Sequence, residues 1–210
     1  MTFTLPSTLR LFPLNGAVLL PGEILPLNIF EPRYLNMVDD ARAGDGLVGM
    51  IQTRPGGAPE HPELRSVGCA GRISRFQETP DGRYLIELEG VCRFTLVSEL
   101  DENQPYRSAR IDFSRYSADC GAPDALLTVD RSRLTELLRL WFTREHIETD
   151  WDAVDAAPIS RLINRMTMVA PFLPDERQNL LETEDTRKRL ICMSRILEQR
   201  IAQSASGNPN

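Results

Sequence analysis

The chain has 210 residues, 41% of them apolar and 26% charged, with a formal net charge of −6. That length buries a core without disulfides or metals, the composition excludes a disordered or fibrous chain, and the acidic balance opposes a phosphate-tracking surface. With 12 basic and 15 acidic residues on each side of Ala118, neither half is a basic module.

In chain order, Leu9–Leu14 and Val18–Leu27 are apolar runs broken by Pro13, Pro21 and Pro26, the pattern of short, bent strands at edges or bulges. Glu31-Pro32 opens a helix whose apolar stripe continues through Leu35 and Val38 until Gly44 stops it. Gly46–Thr53 and Val67–Phe76 read as strands, and Gln52–Ser66, with Pro-Gly-Gly-Ala-Pro and His61-Pro62, as a long, mobile surface loop. Pro80-Asp81-Gly82 is a turn. After it Tyr84, Ile86 and Leu88 alternate with Leu85, Glu87 and Glu89 in a half-buried strand that Gly90 interrupts; Arg93–Val97 resumes it and Ile111–Phe113 closes the sheet. Together these elements predict a small, irregular, partly closed barrel with one helix.

The pattern changes at Ser117–Pro123, the expected domain boundary. Leu134, Leu137, Leu138 and Trp141 form one helical stripe; Ile159, Leu162, Ile163, Met166 and Ala170 a second; Leu190, Met193, Leu197 and Ile201 a third. Asp175 with Gln178 resembles a capping box for a short helix through Glu182. From Ala202 the tail is expected to fray. The division is therefore residues 1–118, a β domain; 119–204, a helical bundle; and 205–210, a frayed tail.

Chemistry-bearing motifs are weak. Gly44–Gly49 matches G-x-G-x-x-G, but a helix precedes it and a strand follows, the reverse of a dinucleotide loop, so it reads as a helix-stop turn. Glu87 and Glu89 share a strand face, where ion pairs with Arg72, Arg75 or Arg93 account for them better than acid–base catalysis. His146 lies near a helix end beside Glu145 and Glu148, and no G-x-S-x-G elbow occurs. Lys188 is the sole lysine, and no G-x-x-x-x-G-K-[ST] loop is present. Cys69, Cys92, Cys120 and Cys192 form no C-x-x-C pair and only His61 and His146 accompany them, so reduced thiols, no metal and no cofactor are expected. Phe12, Phe30, Tyr34, Phe76 and Phe94 read chiefly as core, with an aromatic binding surface as the alternative. No basic leader precedes an apolar core, and no apolar run approaches the roughly 20 residues of a membrane span, so a cytoplasmic protein is expected.

The opening series Leu9-Arg-Leu-Phe-Pro-Leu14, Val18–Leu27 and Ile29-Phe-Glu-Pro-Arg-Tyr34 resembles the N-terminal, substrate-recognition domain of the ATP-dependent Lon proteases. The likeness continues through Tyr34–Ala41, Gly46–Gln52, Val67–Ile73, Asp81–Gly90 and Arg93-Phe94, then Ala170–Pro174 and Gln178–Glu182. It implies an α+β fold, a PUA-like β pseudo-barrel followed by an α-helical bundle, without the family's ATPase and protease modules. The implied function is a stand-alone, non-enzymatic module that binds unfolded or exposed polypeptide, as an adaptor or regulator in protein quality control beside a Lon-type protease. A monomer or weak dimer is expected. A groove at Phe30, Arg33 and Tyr34, between barrel and helices, is the nominated contact surface, with a purely structural junction as the alternative. Two other functions remain open: an RNA-binding protein, since PUA-like barrels elsewhere bind RNA, and an unrecognised peptidase-like hydrolase for which no residue can be nominated.

Overall fold

The computed structural model describes residues 5–58, 60–101, 103–121 and 131–206. Six strands form the first half: β1 (Thr8–Pro13), β2 (Ile24–Ile29), β3 (Leu47–Ala58), β4 (His61–Glu78), β5 (Tyr84–Leu100) and β6 (Arg107–Asp112), with helix α1 (Pro32–Ala43) between β2 and β3. The strand order is β2-β5-β4-β3-β1-β6, and β6 also pairs with β5, so five strands make a closed ring and β2 is appended outside it. Only β1 and β3 run parallel. Bulges between Ile51 and Thr53, Ala70 and Gly71, and Leu96 and Ser98 bend the strands, so the ring is not a regular barrel. The expected α+β fold is present.

Local chemistry explains most boundaries. Pro32 occupies the first turn of α1, and Tyr34, Met37, Val38 and Ala41 form its buried stripe. Gly46, at φ 71°, completes the turn into β3, so the G-x-G-x-x-G string is a helix stop. On β5, Ile86 and Leu88 point inward and Leu85 and Glu89 outward, as the alternation predicts.

Three expectations are corrected. Residues 52–66 are not a loop: β3 runs to Ala58 and β4 starts at His61, making a protruding β arm. Gly56 and Gly57, at φ 120° and 78°, absorb the register shift between Arg54 and Gly57 that would otherwise end the ladder. Nor does Gly90 interrupt β5, because it pairs with Gly71 and exchanges hydrogen bonds with the chain before β2 (Gly90 N to Glu23 O, Gly22 N to Gly90 O). A Cβ on Gly90 would stand 2.1 Å from Leu20 O, so the glycine permits a close backbone approach. The cap of α5 (Pro174–Glu182) is also different: Glu176 reaches back to the N–H of Leu173 at 2.8 Å, and Gln178 is buried for another purpose.

After a 3-10 helix at Ser114–Cys120 come α2 (Arg131–Arg144), α3 (Trp151–Ala156), α4 (Ile159–Val169), α5 and α6 (Thr186–Ser206). Short α3, not anticipated from the pattern, is capped by Asp150 accepting from Ala153 N at 3.0 Å. α6 remains helical through Ser206, past the point at Ala202 where fraying was expected; residues 122–130, which include the end of the expected boundary, and 207–210 lie outside the described residues. The three apolar stripes meet in one core around Trp141, whose ring stacks on Phe172 at 5.2 Å.

Two polar clusters join the halves. Gln52 of β3 accepts from Gly16 N (2.9 Å) and donates to Pro174 O (3.1 Å) and Gln178 Oε1 (3.0 Å), while Gln178 donates to Val67 O (3.0 Å). Arg93 of β5 is the second: its guanidinium binds Asp119 through Nε (2.7 Å) and Nη2 (2.8 Å), and the carbonyls of Leu181 in the last turn of α5 and of Thr183 and Glu184 just beyond it. Met168 and Leu181 also enter the ring-side core, so the seam is apolar as well as polar.

Candidate functional site

The outward face of β2, β5 and β4 carries the most suggestive surface. Residues paired across an antiparallel ladder project to one face. Ile24, Pro26 and Asn28 of β2 face Glu89, Glu87 and Leu85 of β5, which in turn face Arg72, Arg75 and Gln77 of β4. On this face Ile24 is 42% exposed and Leu85 40%, and Phe30, one residue beyond β2, is 62% exposed. A cavity of 370 Å³ on this face is lined by Pro26, Leu27, Leu85 and Ile86 together with Arg75 and Glu87. Arg75 Nη1 and Glu87 Oε1 stand 3.4 Å apart, the pairing anticipated for this face, whereas Arg93 is drawn away to Asp119. Pro26 is tolerated within β2 because that strand pairs with β5 alone among the described residues.

Phe30 is exposed just beyond the end of β2, and Arg33 and Tyr34 belong elsewhere. They line a polar cleft of 320 Å³ with Pro13, His61, Tyr106 and Arg107. Tyr34 is nearly buried, its ring edge-on to Phe12 at 4.5 Å and beneath the Arg33 guanidinium at 4.6 Å, while Arg33 pairs with Glu31 at 2.8 Å. Burial pushes the Tyr34 phenol up, with Arg33 opposing. Tyr106 donates to Asp40 at 2.6 Å, and burial together with that bond pushes its phenol up to about 12. The cleft lies among the strands and α1 rather than between the ring and the later helices, because Tyr34 at the start of α1 packs on Phe12 of β1 beside Pro13 and Thr53. Phe12, Tyr34 and Phe94 are core, as expected of the aromatics; Phe30 is the exposed exception.

No group of three or more potential metal-ligating side chains occurs among the described residues. His146, at φ 55°, follows the end of α2 in an exposed position, and His61 lies 3.8 Å from Glu99 without further catalytic company. The clue to the apolar face was Leu85, an apolar residue in the polar half of the β5 alternation. Pairing with β2 was needed to bring Ile24 and Pro26 beside it.

An irregular strand ring joined to a helical bundle, with an exposed apolar face, makes this an α+β protein. Residues 8–199 match the family model described as the ATP-dependent protease La (LON) substrate-binding domain, and the chain belongs to that family. It is 26% identical over 207 residues to a Lon protease of Syntrophus aciditrophicus, a match covering 95% of this chain and 26% of that protein. The chain thus matches about a quarter or less of the length of such curated relatives. Solved structures share the fold, among them two Lon N-terminal domains. A Lon N-terminal domain protein from Xanthomonas campestris has TM-score 0.60 and 23% identity, covering 94% of this chain and 98% of that one. The N-terminal domain of Mycobacterium avium complex Lon protease has TM-score 0.61 and 16% identity, covering 93% and 98%. Among the described residues, no helix is long and apolar enough to cross a membrane.

Proposed function

We propose that this chain is a non-enzymatic module that binds exposed apolar segments of unfolded polypeptide, acting as an adaptor or regulator in protein quality control beside a Lon-type protease. The observation that carries the reading is an exposed apolar sheet face on a family member, where Leu85 lines a groove with Pro26 and Leu27 and Ile24 is exposed on the same face of the ladder. Exposed apolar patches rimmed by polar groups mark interaction sites. An extended segment would lay apolar side chains against Pro26 and Leu85, with Arg75 and Glu87 bounding the groove. The net charge of −6 disfavours RNA, whose backbone requires a basic track.

The test is fluorescence anisotropy with a labelled, permanently unfolded carboxymethylated protein, and a folded protein and a short RNA as controls. Saturable binding to the unfolded chain alone is expected. Leu85→Asp should weaken it about tenfold or more, the loss expected from one apolar side-chain contact, with Phe30→Ala in the same direction and Arg33→Ala neutral. Binding that survives both Leu85→Asp and Phe30→Ala in a folded protein removes the groove assignment; preference for RNA removes the function.

A further inference from the structure

We propose that the cavity where the starts of α4 and α6 meet the chain before β2 is a binding site for a phosphate-class oxyanion, held by Arg189 and the N-terminus of α4. It measures 320 Å³ and is lined by Arg189, Ser160, Arg161 and Asn164 on the helical side and by Gly22 and Gly90 on the side of the strands.

Arg189, near the start of α6, is only 2% exposed. Its Nε donates to Leu180 O at 2.9 Å and its Nη1 to Asn164 Oδ1 at 2.8 Å, whereas Nη2 is buried without a hydrogen-bond partner. A buried guanidinium nitrogen without an acceptor is costly, and both acceptors it does have are neutral. Burial, with Arg93 nearby, pulls the guanidinium pKa down, the direction of a cation short of counter-charge. The carboxylates in the neighbourhood have partners of their own. Asp119 is held by Arg93 at 2.7 Å, Glu23 by Arg161 at 3.0 Å and Glu184 by Lys188, while Asp185 accepts from Lys188 N at 2.7 Å and caps α6. Arg93 borders the same cavity, but its donors are taken by Asp119 and three carbonyls.

The start of α4 supplies the second set of donors. Pro158 precedes it and provides no side-chain cap. The first intrahelical bond runs from Leu162 N to Pro158 O at 2.9 Å, so the N–H groups of Ile159, Ser160 and Arg161 lie ahead of the ladder. Ser160 and Asn164 are one turn apart on one helix face. Asn164 holds Arg189 through Oδ1 and reaches Pro21 O through Nδ2 at 3.3 Å, which fixes the guanidinium about one turn from the helix start. Guanidinium, amides and the positive end of the helix dipole therefore act on one volume, with the Ser160 hydroxyl and exposed Arg161 beside them. A carboxylate offers two oxygens to such a set; a phosphate offers a tetrahedral array, the anion that helix N-termini and arginine forks both accommodate. The volume falls at the small end of ligand pockets, enough for a small phosphate monoester as well as the free ion. Because the site touches both the strands and the helices, the bound anion ties the two halves together and links their stability to its concentration.

The experiment is isothermal titration calorimetry of the full chain with inorganic phosphate and with glycerol 3-phosphate, at an ionic strength held constant with sodium chloride, alongside thermal unfolding in each. Saturable binding is expected, with a melting temperature that rises as the logarithm of probe concentration. Tighter binding of inorganic phosphate supports the site as one for the free ion, and tighter binding of glycerol 3-phosphate supports it as one for a phosphorylated small molecule. Ser160→Asp places a carboxylate at the start of α4, where it favours the helix and repels a second anion; the variant should fold and bind both probes about tenfold or more weakly. Arg189→Lys keeps the charge but loses the planar fork, and should weaken binding in the same direction. No saturation by either probe up to about 10 mM, or binding left unchanged by both Ser160→Asp and Arg189→Lys, overturns the proposal.

Discussion

Arg93→Ala should be among the most destabilising single substitutions in the molecule. The side chain is 3% exposed, and each of its five N–H donors is used: Nε and one Nη2 hydrogen on Asp119, the other Nη2 hydrogen on Glu184 O (3.0 Å), and both Nη1 hydrogens on Leu181 O (2.9 Å) and Thr183 O. Its guanidinium also lies 4.2 Å over the Tyr116 ring. Truncation strands a largely buried carboxylate without its cation and removes the donors of three carbonyls. Removing one partner of a buried pair costs about 3–5 kcal/mol, a large share of the roughly 5–15 kcal/mol that holds a typical domain folded. With a urea m-value of about 2–3 kcal/mol/M, the midpoint should fall by about 1–2 M in equilibrium unfolding followed by tryptophan fluorescence. Arg93→Lys, which keeps the charge but offers three donors on a point cation, should recover only part of the loss. If Arg93→Ala unfolds within about 1 kcal/mol of the parent, the cluster contributes little beyond its own desolvation, and the account of the seam fails.

Gln52→Ala should cost about 1–3 kcal/mol in urea titration, because Gly16 N and Pro174 O lose their partner inside the seam; a neutral result would show that water replaces the amide. Near the tip of the β arm, Gly57 has φ 78° and a Cβ there would stand 2.5 Å from His61 O, so Gly57→Ala should cost about 1–3 kcal/mol. Accelerated amide exchange localised to residues 53–64 would verify it, and unchanged exchange there would refute it. Glu23 is 3% exposed, and burial raises its carboxyl pKa above the ordinary 4.5, against the pull of Arg161 and Arg165. The native state then binds the proton more tightly than the unfolded chain. Its penalty is absent below the unfolded value and grows as pH rises through the native one. Glu23→Gln should therefore gain stability relative to the parent as pH rises above 4.5. A difference that stays flat between about pH 4 and about pH 8 would contradict the shift.

Much of the local structure was written in the sequence, because short-range sterics and periodicity decide it. Pro32 and Gly44 bracket α1, and the stripes through Leu134, Leu162 and Leu190 become the bundle core. The alternation of β5 correctly separates Ile86 and Leu88 from Glu89, since side-chain direction in a strand has period two whatever the partner. Composition similarly disfavoured a basic track.

What the tertiary structure decided is everything that depends on a partner distant in the chain. The proline- and glycine-rich stretch 52–66 is an arm because two glycines take positive φ while its strands pair, and Gly90 is a close approach because Leu20 O lies against it. Nothing near Arg93 in sequence indicated that it would abandon the Glu87 face for Asp119 and the α5–α6 turn, up to 91 positions away. Phe30, Arg33 and Tyr34, neighbours in sequence, separate because a helix begins between them and turns Tyr34 into the core. Conversely, Ile24 and Leu85 are far apart along the chain and share a surface through pairing of β2 with β5. Ladder partners and buried hydrogen-bond acceptors are chosen by chain geometry over long separations, and local sequence carries no record of that choice.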